Sequence, residues 1–349
     1  MSVRILVGDV RDRLKDLPDE SVHCVVTSPP YFGLRDYGHP GQIGLEPTPA
    51  EFVRTMVEVF REVRRVLRPD GTFWLNLGDS YAQGGGGGAS SKSTLKNDGR
   101  PVYGARAQEL ALNERAFSRK APPGLKPKDL IGIPWRVAFA LQEDGWYLRS
   151  DIIWHKPNPM PESVTDRPTS AHEHIFLLAK SERYFYDHEA VKEPAICGAN
   201  GSEFHTGKTG EHQLGRAQKV RPSKPKGSFA AKGEPLPGQL PFRAVTEMRN
   251  LRNVWSVPTV PFNEAHFATF PPALVEPCIK AGCPHGGTVL DPFGGAGTSG
   301  LVADRLGRNA ILIELNPDYA AMAERRIRNE QPMFADVQLD IRPQLEAAE

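Results

Sequence analysis

Two short strings hold most of the residues able to do chemistry: Thr27-Ser28-Pro29-Pro30-Tyr31 near one end of the chain, and Asp291-Pro292-Phe293-Gly294-Gly295-Ala296-Gly297-Thr298 near the other. In the second string, glycines let the backbone approach a ligand closely, and a helix opening at Thr298 offers unpaired N–H groups. Glu314 follows about 20 residues later, the position from which an acidic residue binds ribose hydroxyls. In the first string a hydroxyl precedes two prolines that hold the backbone rigid, and an aromatic ring follows. That set suits a planar exocyclic amine. The Ser28 hydroxyl and the Pro29 carbonyl accept its hydrogens and favour a more pyramidal, more nucleophilic nitrogen, while Tyr31 offers a stacking face. A bare proline pair is an ordinary turn after a strand. The flanking hydroxyl and ring, with a glycine loop elsewhere in the chain, raise this one above that reading.

These strings need elements to position them. Periodicity predicts a strand over 3–7, a short helix around 11–17 and a strand over 21–27, which together form a βαβ unit. Thr48-Pro49-Ala50-Glu51 has the form of a capping box with proline at the first helical position. Phe52, Met56, Val59, Phe60, Val63, Val66 and Leu67 then recur at helical spacing until Pro69-Asp70-Gly71. A strand over 72–77, a helix near 134–143 and strands over 147–155 and 175–179 follow. At the far end, a strand over 288–291 runs into the glycine loop, with a helix over 298–306, a strand over 310–313 and a helix over 316–327 behind it. Both chemical strings thus follow strands, at the edge where doubly wound sheets bind ligands. In a typical nucleotide-binding chain the glycine loop comes first. Its position here means that the sheet is assembled from both ends, giving an α/β fold with a doubly wound, mostly parallel and circularly permuted sheet.

Gly295-Ala296-Gly297-Thr298-Ser299-Gly300 also satisfies the dinucleotide pattern GxGxxG. A dehydrogenase would continue with further βαβ units beyond Glu314, whereas one helix follows here, and permutation explains the shortage.

The 43 basic and 42 acidic residues leave a net charge of +1, so any surface for a polyanion must be local. Residues 82–128, with five consecutive glycines at 84–88, read as a flexible basic loop. Between 201 and 253, ten basic residues face four acidic ones, the local charge that a duplex binder needs. Cys24, Cys197, Cys278 and Cys283 form no CxxC pair and read as free thiols. Cys278, Cys283 and His285 are too few and wrongly spaced for zinc, and no metal is expected. In His172-Glu173-His174, strand alternation alone puts both histidines on one face, for packing or DNA contact. Tyr184-Phe185-Tyr186 reads as core. The first apolar run is too short for a signal peptide or a membrane span, which predicts a cytoplasmic protein with no membrane partner.

Together Gly8-Asp9, the TSPPY string, Trp154-His155-Lys156, residues 267–274 and DPFGGAGT through Glu314 resemble the amino-group-specific DNA methyltransferases of the permuted, beta class. The resemblance implies S-adenosyl-L-methionine as cofactor and double-stranded DNA as partner, with a base flipped from the duplex and methylated on its exocyclic amine. It implies catalytic roles for Ser28, Pro29, Pro30 and Tyr31. Asp291, Phe293, Gly295, Gly297 and Thr298 would line the cofactor pocket, with Glu314 on the ribose, Asp9 near the adenine, and Thr269 and Phe270 beside the methionine moiety. Serine at position 28 resembles the cytosine-N4 subgroup; adenine N6 is the alternative. RNA or protein-glutamine methylation, and a catalytically idle DNA-binding module, are rivals that the motif order and the intact strings disfavour. A homodimer and a separate restriction endonuclease are partners that the resemblance allows. Residues 1–81 and 129–180 are assigned to the catalytic part, 181–261 to target recognition, 262–330 to the cofactor part and 331–349 to a C-terminal tail.

Overall fold

The computed structural model describes residues 1–33, 41–82, 124–194, 248–260, 270–330 and 336–341. Most of the predicted basic loop, most of 201–253, Cys197 and Thr269 therefore lie outside the described residues. The strands are β1 (Ser2–Val7), β2 (Val22–Thr27), β3 (Leu67–Leu77), β4 (Tyr147–His155), β5 (His172–Ala179), β6 (Glu193–Pro194), β7 (Met248–Arg249), β8 (Val254–Ser256), β9 (Thr288–Asp291), β10 (Asn309–Glu314) and β11 (Asp336–Ile341). The helices are α1 (Val10–Arg13), α2 (Pro49–Val66), α3 (Ile133–Glu143), α4 (Pro272–Gly282), α5 (Thr298–Arg305) and α6 (Pro317–Glu330).

Nine strands form one sheet in the order β11-β1-β10-β9-β2-β3-β5-β4-β8. Among these, β5 alone runs against the rest. The sheet is assembled from both ends as expected. β1 lies between β10 and β11, with Val7 opposite Glu314, and β2 lies beside β9, with Val25 opposite Leu290. The carboxyl ends of β1, β2, β3, β4, β9 and β10 consequently share one edge with the start of the reversed β5.

Local chemistry sets the elements that frame this edge. Thr48 caps α2 by accepting from the Glu51 N–H at 3.2 Å, and the helix buries Phe52, Met56, Val59, Phe60, Val63 and Val66, the face its periodicity predicts. Phe60 packs on Phe73, and Phe73 on Trp146, with ring centroids 4.8 and 5.2 Å apart. Asp79, just past β3, accepts from the N–H groups of Gly132 and Ile133 and so caps α3 from a distant part of the chain.

Two expectations change. Pro69-Asp70-Gly71 does not separate α2 from its strand: β3 begins at Leu67, and a register shift against β2 absorbs the insertion as a bulge. Residues 331–349 contain more than a tail, because the alternating Val337, Leu339 and Ile341 belong to β11, which extends the sheet beyond β1. The chain also divides into two compact units, of which the second is Val191–Leu251, while β8 pairs with β4 and belongs to the main sheet. The described part of that unit is the antiparallel pair β6–β7, held by the Arg249–Glu193 ion pair at 2.8 Å.

Candidate active site

The carboxyl edge opens into a cavity of about 420 Å³, within the range for small-molecule sites. Its wall combines both ends of the chain: Ser28, Pro29, Pro30 and Tyr31 from the loop after β2, and Phe293, Gly294, Gly295, Ala296 and Thr298 from the loop after β9. Gly8, Asp9, Phe270 and Glu314 complete the predicted residues that reach it.

At the glycine loop, Glu314 accepts from the Gly295 N–H at 2.7 Å and the Asn316 N–H at 2.8 Å. Burial raises its carboxyl above the usual carboxylate range, although these two N–H groups oppose the rise. At Gly295 a Cβ would meet nothing nearer than the Phe293 carbonyl at 4.0 Å, so this residue leaves cavity space that other side chains would fill. Burial likewise pushes the Asp9 carboxyl up, but the hydrogen bonds and charge of Arg11 outweigh it and hold the group below its ordinary value. Thr298 opens α5 and accepts from Arg326 Nη1 at 2.9 Å.

Asp291 and Gly297, expected in the wall, stand behind it. Asp291 is fully buried and accepts from Thr27 Oγ1 at 2.6 Å, Ser299 Oγ at 2.7 Å and the Phe293 N–H at 3.1 Å. Burial raises its carboxyl to about 6 against those three donors. Gly297 has φ +77° and a Cβ there would lie 2.7 Å from Ala323 Cβ, so it allows the loop to pack on α6.

The TSPPY loop carries a hydrogen-bonded cluster. Ser28 Oγ donates to the Tyr31 hydroxyl at 3.3 Å, and that hydroxyl donates to Glu173 Oε2 at 2.6 Å. Asn76 Nδ2 lies 2.9 Å from the Tyr31 hydroxyl, 3.0 Å from Glu173 Oε2 and 3.3 Å from Ser28 Oγ. Lys156 Nζ pairs with Glu173 Oε1 and lies 4.4 Å over the Trp154 ring. Gly78 makes room for this arrangement, since a Cβ there would sit 2.6 Å from the Tyr31 ring.

Sequence reasoning gave no role to Asn76, Lys156 or Glu173, yet all three line the cavity. Strand alternation was the available signal. It sends His172 and His174 to one face, where His174 packs on Phe176 and bonds Asp151 Oδ1 at 2.9 Å, and it sends Glu173 to the other. Cys24, Cys278 and Cys283 are buried free thiols, and burial pushes Cys283 up to about 12. Tyr184-Phe185-Tyr186 is not core as expected: Tyr184 and Phe185 are half-buried and Tyr186 is exposed, stacking on Trp74 with ring centroids 6.4 Å apart.

Among known proteins, a family model described as DNA methylase matches residues 22–325. The type II methyltransferase M.SmaI of Serratia marcescens is 44% identical over 326 residues, covering 93% of this chain and 91% of the relative. M.XycI of Xanthomonas campestris pv. cyanopsidis is 46% identical over 323 residues, covering 93% and 87%. The solved PvuII cytosine-N4-specific DNA methyltransferase shares the fold at TM-score 0.56 and 19% identity, over 97% of this chain and 95% of that one. So does a putative DNA modification methylase of Thermus thermophilus complexed with S-adenosyl-L-methionine, at TM-score 0.53 and 22% identity, over 96% and 98%. With this breadth of match and both strings opening into one cavity, the chain belongs to the family of N6- and N4-specific DNA methylases.

Proposed function

We propose that this chain methylates the N4 amine of a cytosine extruded from duplex DNA. The coarser activity follows from the family: it is a type II DNA amino-methyltransferase that uses S-adenosyl-L-methionine. One observation carries the site assignment, namely that the Ser28 and Gly295 loops, at opposite ends of the sequence, share one cavity.

The cavity suits the cofactor. Glu314 offers carboxylate oxygens for a ribose diol, Phe293, Ile313 and Leu315 offer apolar walls, and Asp9 adds negative charge. When bound, the cofactor supplies an electrophilic methyl group. Ser28 and the Pro29 carbonyl accept the amine hydrogens and aim the nitrogen's lone pair. Pro30 fixes the turn, and the Tyr31 ring, given room by Gly78, stacks on the extruded base. No covalent intermediate is required, because no cysteine or lysine lies in the catalytic string. Ser28 supports cytosine over adenine because serine at this position resembles the cytosine-N4 subgroup, although its uncharged hydroxyl suits either amine.

The test is methyl transfer from labelled cofactor to duplex DNA, followed by mass identification of the modified nucleoside. N4-methylcytosine is the expected product. N6-methyladenine overturns the base assignment, and methylated RNA or protein with unmodified DNA overturns the substrate.

A further inference from the structure

Methylation of an exocyclic amine leaves a surplus proton on nitrogen, and the first-string residues alone provide it with no terminus. We propose that Glu173 is that terminus, reached through Ser28 and Tyr31. This rests on the DNA amino-methyltransferase reading above.

The geometry is a directed chain. Ser28 Oγ, placed to accept from the amine, donates to the Tyr31 hydroxyl at 3.3 Å, which donates to Glu173 Oε2 at 2.6 Å. Asn76 Nδ2, on β3, lies within 3.3 Å of all three oxygens and fixes the junction. Its side chain is 6% exposed, and its Oδ1 is buried without a hydrogen-bond partner, so the amide is spent on orienting this chain. Lys156, held against Trp154, pairs with the other Glu173 oxygen and leaves Oε2 to the chain. Among the described residues, Lys156, just past β4, and Tyr31 from the loop are the titratable groups that bond the carboxylate, with Asn76 from β3 and Ser28 neutral beside them.

The step balances. The nitrogen forms its bond to methyl as the sulfur–carbon bond of the donor breaks and sulfur keeps the electron pair. An N–H proton passes to Ser28 Oγ, the Ser28 proton to the Tyr31 oxygen and the Tyr31 proton to Glu173. Glu173 ends as a neutral acid and releases its proton to solvent between turnovers. A protonated exocyclic amine has lost its conjugation with the ring and is strongly acidic, so a carboxylate suffices as acceptor. Glu173 acts through two other residues and is a positioning and relay residue.

The test uses the full chain with Glu173→Gln, Tyr31→Phe and the double variant. Glutamine keeps the shape and an oxygen for Tyr31 but cannot take a proton, and phenylalanine keeps the stacking ring. The single-turnover methylation rate should fall about 10²-fold in each single variant. Equilibrium binding of cofactor and of duplex DNA should stay within about twofold of the parent protein. The double variant should be no slower than the slower single variant, because the steps lie in series. Multiplicative losses in the double variant, or a Glu173→Gln rate within about twofold of the parent, overturn the relay. A parent protein that leaves duplex DNA unmethylated overturns the functional reading and this proposal together. An active parent with an unimpaired Glu173→Gln variant overturns the relay alone.

Discussion

Thr27 donates to Asp291 across 264 residues of sequence, at 2.6 Å, with both side chains buried. The bond clamps the carboxyl end of β2 to that of β9, and each of those ends leads into one half of the cavity. Thr27→Val, which keeps the shape but removes the donor, leaves a buried carboxylate one partner short. The expected loss is about 1–3 kcal/mol in denaturant-measured stability. Separation of the two loops should weaken cofactor binding in the same variant, as read by calorimetric titration.

The same carboxylate predicts a pH dependence. The folded-state value of Asp291 is raised to about 6 from 3.8, so the native state binds the proton more tightly than the unfolded chain does. Its ionisation therefore costs stability increasingly as pH rises from near 4 to near 6, by about 3 kcal/mol in all, and the cost is constant above that. Asp291→Asn does not titrate. The stability of the parent relative to this variant should increase as pH falls from 7 to 4; a difference independent of pH would refute the shift.

Ser28→Ala should slow methyl transfer while leaving cofactor affinity nearly unchanged, because on the proposed reading the hydroxyl accepts from the amine while the cofactor is held by the glycine loop and Glu314. About a tenfold or greater loss in single-turnover rate is expected. Equal loss of rate and cofactor binding would argue against an amine-facing role.

Gly78→Ala tests Tyr31 without touching it. The new methyl would lie 2.6 Å from the ring, which must move, and in moving it breaks alignment with Glu173 and with a stacked base. Turnover should fall by at least about tenfold with native cofactor affinity. A crystal structure of the variant with the Tyr31 ring unmoved would contradict this account.

Gly297→Ala should act on stability instead. It combines positive φ with a contact of 2.7 Å to Ala323, and a loss of about 2 kcal/mol or more is expected in chemical denaturation.

The sequence made the two loops, their inverted order and the buried face of α2 legible because each is a local pattern with a physical period or a strict residue requirement. Asp291 is legible as part of the motif, but nothing local announces that Thr27, 264 residues away, will bond its carboxylate behind the cavity wall. Asn76 is a single polar letter in the apolar end of β3, and Glu173 stands between two histidines at the start of β5. Their meaning depends on β3 and β5 pairing antiparallel, with Leu77 opposite His174, which no single segment encodes. β11 was passed over because a few alternating residues after a helix are a weak signal until β1 is available to pair with them.

The placement of β1 between β10 and β11 has a consequence for synthesis. A ribosome releases β1 and β2 early, but their partners β10 and β9 follow only after most of the chain has been made. Until then the nascent protein lacks both the cofactor loop and the strands that flank it, and long-range parallel pairing of this kind is slow to form. Methyl transfer therefore waits until β9, the cofactor loop and β10 have all been made, however early the TSPPY loop emerges.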